Sequence, residues 1–556
     1  MTELATTTPS RAVRRVPGRG RTPWSVAVVV VALLVAAPVL AVLVDVTRGS
    51  APAWPRDLDR MVVTTLLLML GVGVGTLVVG AGLAWLVTAY RFVGRDTMVW
   101  LLVLPLAMPA YILGFVFLST FDEAGPVQGA VRAVLGDGAG LSVRSLPGCV
   151  VVMSLTLYPY VYLLARAAFV EQGPRTRDAA RTLGAGRART FFRVLLPLAR
   201  PSLAAGLALV MMEVLTDFAT VQYFGVRTVS VGVYSVWRGT YDFGSAVQLA
   251  SLVLLFALAV LAGERMMRGR ARFTQPGRGA PSDAVTLAGW RGGLALAACL
   301  LTLAAGFFVP VGRLAGWGVQ RFASDGTASI DARFGEYLVN SVVVASLAAV
   351  VCCSLAVLIG HAVKLGGGRV VRGFAGLTTF GYAVPGAVVG IGTLLFFAAV
   401  DDLVEALGVP GGTGLLVTGS VAGILYAYAV RFLGPAYQAV DASFAKVSPS
   451  MTQSALALGA PPRRVLTRVH LPLVRPGIAV ALVLVAVDAV KELPVVLLLR
   501  PFGFTTVSVW VYQLAAENFW SLAALPALLI VLLALVPVVL LFRQVRAVDE
   551  GARRGS

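Results

Sequence analysis

Apolar runs of about 20 residues recur along the whole chain, separated by short segments rich in arginine. A helix of about 20 apolar residues, rising 1.5 Å per residue, crosses the ~30 Å hydrocarbon core of a bilayer. The pattern predicts twelve such helices, at 24–46, 61–90, 97–120, 147–168, 201–222, 244–268, 292–318, 337–363, 371–400, 414–435, 477–499 and 522–542. The first comes after a polar tail, 1–23, that carries Arg11, Arg14, Arg15, Arg19 and Arg21. Its apolar run is too long for a signal peptide and lacks a small-residue cleavage site, so it reads as a membrane helix. The polar stretch 269–291, with Arg270, Arg272, Arg278 and the Pro276-Gly277 turn, reads as a linker between two halves, 24–268 and 292–546. Residues 547–556 form a second polar tail. The expected fold class is an all-α polytopic membrane protein of twelve helices in two parallel six-helix repeats.

The repeat is visible in the residues themselves. Segment 177–201 (RDAARTLGAGRARTFFRVLLPLARP) and segment 452–476 (TQSALALGAPPRRVLTRVHLPLVRP) agree at 12 of 25 positions at an offset of 275. Ordinary residue frequencies would give roughly two. Pro109 and Gly114 match Pro385 and Gly390, and Thr64-Thr65 align with Asn340-Ser341, at an offset of 276. Further on, Phe224-Gly225-Val226-Arg227-Thr228-Val229-Ser230 matches Phe502-Gly503-Phe504-Thr505-Thr506-Val507-Ser508. With six spans in each half, both insert with the same orientation and are related by an axis along the membrane normal.

Composition enters next. Of the residues, 58% are hydrophobic and 13% charged, against about 25% charged in soluble domains. The net charge of +19 does not indicate nucleic acid, because the basic residues sit between apolar runs. If the N-terminus is inside, 32 of the 46 basic residues lie in inside segments and 11 in outside loops. The remaining Arg166, Arg431 and Lys491 fall within or at the ends of spans. The positive-inside rule then places both termini, the linker and both repeated loops in the cytoplasm. Cys149, Cys299, Cys352 and Cys353 show no metal-ligand spacing, and His361 and His470 stand far apart, so all six read as packing or loop residues.

Each repeated loop, 171–201 and 446–476, reads as a short helix, a glycine turn (Gly184 or Gly459) and an amphipathic stretch. Pro197 with Pro201, and Pro472 with Pro476, mark entry into the next span. A helix–glycine–helix knob kept in two copies is a docking element. Lipid alone could hold an amphipathic hairpin at the interface, but that does not explain the duplicated sequence. The other chemistry is carboxylate. Glu213 aligns with Asp488 and Asp217 with Glu492, all on the fifth span of each half. A spacing of four puts each pair on one helical face, and ionisable groups within a span usually face a cavity or a partner. A ring of acids suits a hard cation held transiently, with no stable metal site. The structural alternative pairs Asp488 with Lys491 three residues on. Tyr223, Tyr234 and Tyr512 read as interfacial belt residues. No nucleophile–base constellation is visible, so no catalytic residue is expected.

The loops resemble the EAA loop of ATP-binding-cassette (ABC) importer permeases. The matching residues are Asp178-Ala179-Ala180, Gly184 and Leu195-Leu196-Pro197 in the first copy, and Gln453-Ser454-Ala455, Gly459 and His470-Leu471-Pro472 in the second. The acid is Asp178 in one copy and is replaced by Gln453 in the other. The resemblance implies a type I importer permease fold. It also implies that Asp178, Ala180, Gly184, Arg189 and Pro197, with Ala455, Gly459, Arg464 and Pro472, seat on a cytoplasmic ATPase. No lysine follows a glycine, so the chain lacks a phosphate-binding Gly-Lys-Ser/Thr motif of its own. ATP would therefore be used by two copies of a separate ABC ATPase subunit, with no cofactor bound by this chain. Lys491-Glu492-Leu493-Pro494 and Arg500-Pro501-Phe502-Gly503-Phe504, with Met212 to Phe218 in the first half, resemble the fused permeases of ferric-iron importers. That implies iron delivered by an extracytoplasmic solute-binding protein to a multi-pass protein of the cytoplasmic membrane. A fused thiamine permease shares the architecture, and an ion-coupled secondary transporter is the alternative from another class.

Overall fold

The structure is a computed structural model. It describes residues 23–48, 54–123, 125–135, 142–172, 180, 182–183, 186–239, 243–268, 285–325, 332–414 and 419–554. Among the described residues nine helices are long and apolar enough to cross a membrane, and two bent pairs bring the number to eleven. The remaining expected span, 414–435, is the helix Val421–Phe444. It is less apolar because it packs between the helices Phe334–Lys364 and Leu471–Lys491. The apolar run therefore did not mark its ends.

Four expected spans are interrupted, in matching places in the two halves. The third span of the first half is Arg95–Leu101, a 3-10 turn Leu104–Ala107 and, after a bend, Ala110–Phe121. Its counterpart is Arg369–Leu377, a 3-10 turn Phe380–Ala383 and Gly386–Ala406. Pro109 (φ −57°, ψ 138°) and Pro385 (φ −55°, ψ 140°) stand before the resumed helices, where proline stops the preceding turn and preorganises the next. The fifth spans break at Asp217 and Glu492, giving Arg200–Thr216 then Phe218–Tyr223, and Leu471–Lys491 then Pro494–Leu499. Carbonyls freed by breaks inside a membrane need new donors. Tyr158 Oη donates to the Leu102 carbonyl and Tyr162 Oη to the Val99 carbonyl, both at 2.8 Å. Tyr428 Oη donates to the Ala489 carbonyl (3.1 Å) and Ser508 Oγ to the Glu492 carbonyl (2.8 Å).

The alignment of Thr64-Thr65 with Asn340-Ser341 has a structural meaning. The Val229 N–H donates to Thr65 Oγ1 (3.0 Å), and the Val507 N–H donates to Ser341 Oγ (2.8 Å). Each bond ties the start of a short helix, Val229–Gly239 or Val507–Ala516, to the second span of its half. Gly225 (φ 68°) and Gly503 (φ 76°) make the same left-handed turn just before.

The first helix of each half crosses to the other half. Pro23–Arg48 packs on Gly386–Ala406 and Arg369–Leu377. Tyr426 Oη donates to the Leu34 carbonyl (2.7 Å), and a Cβ on Gly392 would lie 2.3 Å from the Pro38 carbonyl oxygen. The segment Trp290–Leu303, Ala304–Phe308 and Val309–Asp325 packs on the first half, with Gly306 against the Leu155 carbonyl and Pro105. Small residues allow this close approach between helices. The linker and tail expectations are adjusted at their ends. Val285–Thr286 pairs in parallel with Tyr90–Arg91, the helix begins at Trp290, and the last helix, Trp520–Arg554, continues through 547–554.

Candidate functional site

The breaks in the third and fifth spans open a cavity between the halves, with an empty volume of about 880 Å³ including its mouth. Glu213, Asp217, Asp488 and Glu492 all line it. The expectation that each pair shares one helical face is corrected: the helix ends between the two members, at Thr216 and at Lys491. The backbone is extended at Asp217 (ψ 92°) and Glu492 (ψ 126°). Asp217 then caps the next helix, accepting from the Thr220 N–H (2.9 Å) and the Thr220 hydroxyl. Glu492 accepts from the Val495 N–H at 3.3 Å in the equivalent place.

Two cations share the wall, both from the second half. Arg431 Nε lies 3.1 Å from Glu492 Oε2, with both side chains under one-tenth exposed. The ion pair is close, but neither Arg431 Nε nor Nη1 makes a well-aligned hydrogen bond. Lys491 Nζ lies 2.8 Å from Asp488 Oδ1, so the within-helix pairing is present. Four acids and two bases leave the wall with an acid excess of two. Glu213 faces the same space, and its field reaches both Arg431 and Lys491. Among the described residues no group of three His, Cys, Asp or Glu is gathered closely enough to hold a metal ion. Arg431 was visible in the sequence only as a charge inside a span, with nothing to say what it faced.

Tyr223, Tyr234 and Tyr512 are not belt residues, since all three are buried. Tyr223 and Tyr512 stack across the halves at 5.9 Å, and Tyr223 Oη donates to the Tyr512 carbonyl (3.2 Å). Tyr512 Oη donates to Gln222 Oε1 (2.8 Å), and Phe218, on the cavity wall, packs edge-on to Tyr512 at 5.6 Å. This layer packs behind Phe218, along the short helices Phe218–Tyr223 and Val507–Ala516.

The repeated loops lie elsewhere, at the opposite ends of the fifth spans. The second loop has the expected helix, Pro449–Ala457, then Gly459 at φ 79°. Ala455 is half-buried, and Arg464 and Pro472 are exposed. In the first loop Ala180 is buried, Arg189 exposed and Pro197 half-buried, while Asp178 and Gly184 lie outside the described residues. Both loops enter the fifth span through a π-turn, Phe191–Leu195 and Leu466–His470. Leu183 and Leu458, identical at the 275 offset, are each 88% exposed. Both loops thus hold a large apolar side chain out of the core at the same place. The repeat marked these leucines as shared, but only their exposure distinguishes them from core leucines. His361 and His470, read as isolated, are in contact with each other.

Comparison with known proteins agrees with the two-fold geometry. Residues 76–269 and 354–554 each match the family described as binding-protein-dependent transport system inner membrane component. The chain is 24% identical over 508 residues to the Fe(3+)-transport system permease protein FbpB 2 of Haemophilus influenzae, covering 90% of this chain and 92% of that one. It is 23% identical to the putative ferric transport system permease protein FbpB 1 of the same organism, covering 83% of this chain and 75% of that one. The sulfate transport system permease protein CysT of Salmonella typhimurium is 29% identical over 251 residues, 43% of this chain and 89% of that one. A family with a binding protein and an ATPase as partners leaves no place for the secondary-transporter alternative. The chain belongs to the binding-protein-dependent transport system inner membrane component family and is a multi-pass inner-membrane permease subunit of an ABC importer, with both family copies fused in one polypeptide.

Proposed function

We propose that this permease carries ferric iron inward, through the cavity lined by Glu213, Asp217, Asp488 and Glu492. The observation that carries the reading is the convergence of all four carboxylates on one cavity with an acid excess of two. Hard, highly charged cations prefer oxygen ligands, and an acidic wall disfavours an anion. The relatives matched over most of the chain are named for ferric iron. The oxyanion reading draws on the half-length relative named for sulfate and on Arg431 and Lys491, but both cations are already held by acids. A thiamine cargo has no comparable support. The carboxylates are spread around the wall, which suits passage rather than storage: a path that grips its ion does not release it.

In this reading the N-terminus, C-terminus and both loops face the cytoplasm. Two ATPase subunits seat on the loops, one on Leu183 with Ala180, Arg189 and Pro197, the other on Leu458 with Ala455, Gly459, Arg464 and Pro472. Asp178 and Gly184 belong to the same seat by sequence. A solute-binding protein delivers iron on the far side, beyond the tyrosine layer. ATP is consumed by the partners, and this chain binds no cofactor.

The test is radiolabelled iron uptake by the reconstituted importer with Glu213→Gln and Asp217→Asn combined. These two acids lack the close ion pairs of Asp488 and Glu492, and Asn keeps a helix cap, so the charge is removed with the least structural cost. Uptake is expected to fall by about tenfold or more, equivalent to ~1.4 kcal/mol. Unchanged iron uptake, or competition by sulfate or molybdate in the wild type, overturns the ferric reading.

A further inference from the structure

The second loop is joined to the membrane helices by buried polar side chains that transport through the cavity does not use. His361 and His470 are the two histidines of the chain, and their Nδ1 atoms lie 2.8 Å apart. Both are fully buried. His470 Nε2 lies 3.0 Å from Thr452 Oγ1, also buried, on the loop helix Pro449–Ala457. The Nδ1 contact requires one ring to carry its proton there and the other to be bare, and a hydroxyl can donate or accept. The chain Thr452–His470–His361 therefore closes in either direction. It links the loop helix, the π-turn Leu466–His470 and the span Phe334–Lys364. Trp24 packs edge-on to His361 at 4.7 Å and Phe444 edge-on to His470 at 5.4 Å. Beside them Lys364 Nζ donates to the Val447 carbonyl (3.0 Å), fixing the segment that leads into the loop.

The first half solves the same problem differently. At the matching offsets, Trp85 stands for His361, Leu195 for His470 and Phe169 for Phe444. Trp85, Phe169 and Phe191 pack as an aromatic trio with centroids 5.0 to 6.1 Å apart, and Gln172 Nε2 donates to the Leu195 carbonyl (3.2 Å). The fifth spans differ between the halves as well. Pro462–Lys491 runs as one span, whereas Phe191–Leu198 and Arg200–Thr216 meet at 69°. In the second half the helix that starts next to His470 carries Asp488 and Lys491 at its other end, about 30 Å away at 1.5 Å per residue.

We propose that the two coupling loops are mechanically unequal: the second, latched through Thr452–His470–His361, drives its helix as a rigid lever on Asp488, Lys491 and Glu492, while the first acts through a bend at Ala199. The inference rests on the reading of the loops as ATPase seats. His361, His470 and Thr452 are positioning residues in it, acting through the lever rather than on the cargo.

The test uses the whole importer, permease with its ATPase subunits and binding protein, in proteoliposomes, and reads ferric iron moved per ATP hydrolysed. One net hydrogen bond is worth about 0.5–1.5 kcal/mol, or about 2- to 10-fold. His470→Leu, which installs the first half's residue, and Thr452→Val are each expected to lower the ratio about 2- to 10-fold. His470→Gln restores most of it, and His361→Leu added to His470→Leu lowers it no further, because the chain breaks once. Phe191→Leu in the first loop lowers the ratio less than about twofold. A wild-type ratio in both His470→Leu and Thr452→Val, or His470→Gln as poor as His470→Leu, overturns the latch and leaves packing as the role. If the histidine variants do not assemble, Thr452→Val, on the loop's own helix, decides alone. ATPase subunits that stay bound to Leu183→Asp with Leu458→Asp overturn the docking reading and the lever with it. Release by that pair, combined with a normal ratio in the latch variants, overturns the lever alone.

Discussion

The Arg431–Glu492 pair offers the sharpest test of how the cavity is held together. The two charges are 3.1 Å apart and almost wholly buried. At an effective dielectric constant of about 20 their attraction is about 5 kcal/mol, most of which offsets the cost of taking both ions out of water. Removing one partner leaves that cost uncompensated. Arg431→Met is therefore expected to destabilise by about 3–5 kcal/mol. Glu492→Gln should cost less than Arg431→Met, because Glu213 and Asp488 also act on the guanidinium and Gln can still accept from the Val495 N–H. The double variant Arg431→Met with Glu492→Gln should recover part of the loss, since it leaves no unpaired charge buried at this place. It also keeps the acid excess of the wall at two, so stability and cavity charge are separated. Unfolding of the purified permease by SDS titration in mixed micelles gives the four corners of the cycle. Two single variants within about 1 kcal/mol of the wild type, or additive losses in the double variant, would refute the argument that the pair is a desolvated unit.

Other features give independent expectations. Gly392→Leu drives a side chain into the Pro38 carbonyl and should destabilise the crossed first helix by at least the 1–3 kcal/mol typical of overpacking, read by the same SDS titration; a wild-type stability would show that the close approach is not needed. Thr65→Val and Ser341→Ala each remove the acceptor of a buried N–H, at Val229 or Val507, together with the hydroxyl's own bond to the Met61 or Tyr337 carbonyl, and should each cost about 1–3 kcal/mol in the same SDS titration. As the two sites serve different halves, the losses should add within about 0.5 kcal/mol. Asp217→Asn should keep the cap on Phe218–Tyr223 and lose only transport, whereas Asp217→Ala should lose transport and about 1 kcal/mol of stability; equal stabilities would show that the cap contributes nothing.

Much of the architecture could be read from the chain because it was written twice. The offsets of 275 and 276 placed Thr65 with Ser341, Pro109 with Pro385 and Glu213 with Asp488; the structure gives the first two pairs one role each and sets the third on one cavity wall. Where the helices break was harder to read. The run from Pro201 to Tyr223 stays apolar across Asp217, and hydropathy records burial in lipid or protein, not backbone direction. The helix Val421–Phe444 shows the same limit from the other side, since protein neighbours let it continue through Tyr437 and Asp441. Most opaque were the residues without a counterpart. At the repeat offsets Arg431 aligns with Thr156, Lys491 with Thr216, His361 with Trp85 and His470 with Leu195. A reading built on the repeat weights identities and passes over such substitutions. Yet a passage on a two-fold axis between equal halves has no reason to need cations on one side only. Both cavity cations and both histidines belong to the second half, and one helix, Leu471–Lys491, joins the histidine contact to the lysine. Three of these departures, His361, His470 and Lys491, thus meet at the two ends of one helix, which runs from the repeated loop to the cavity wall.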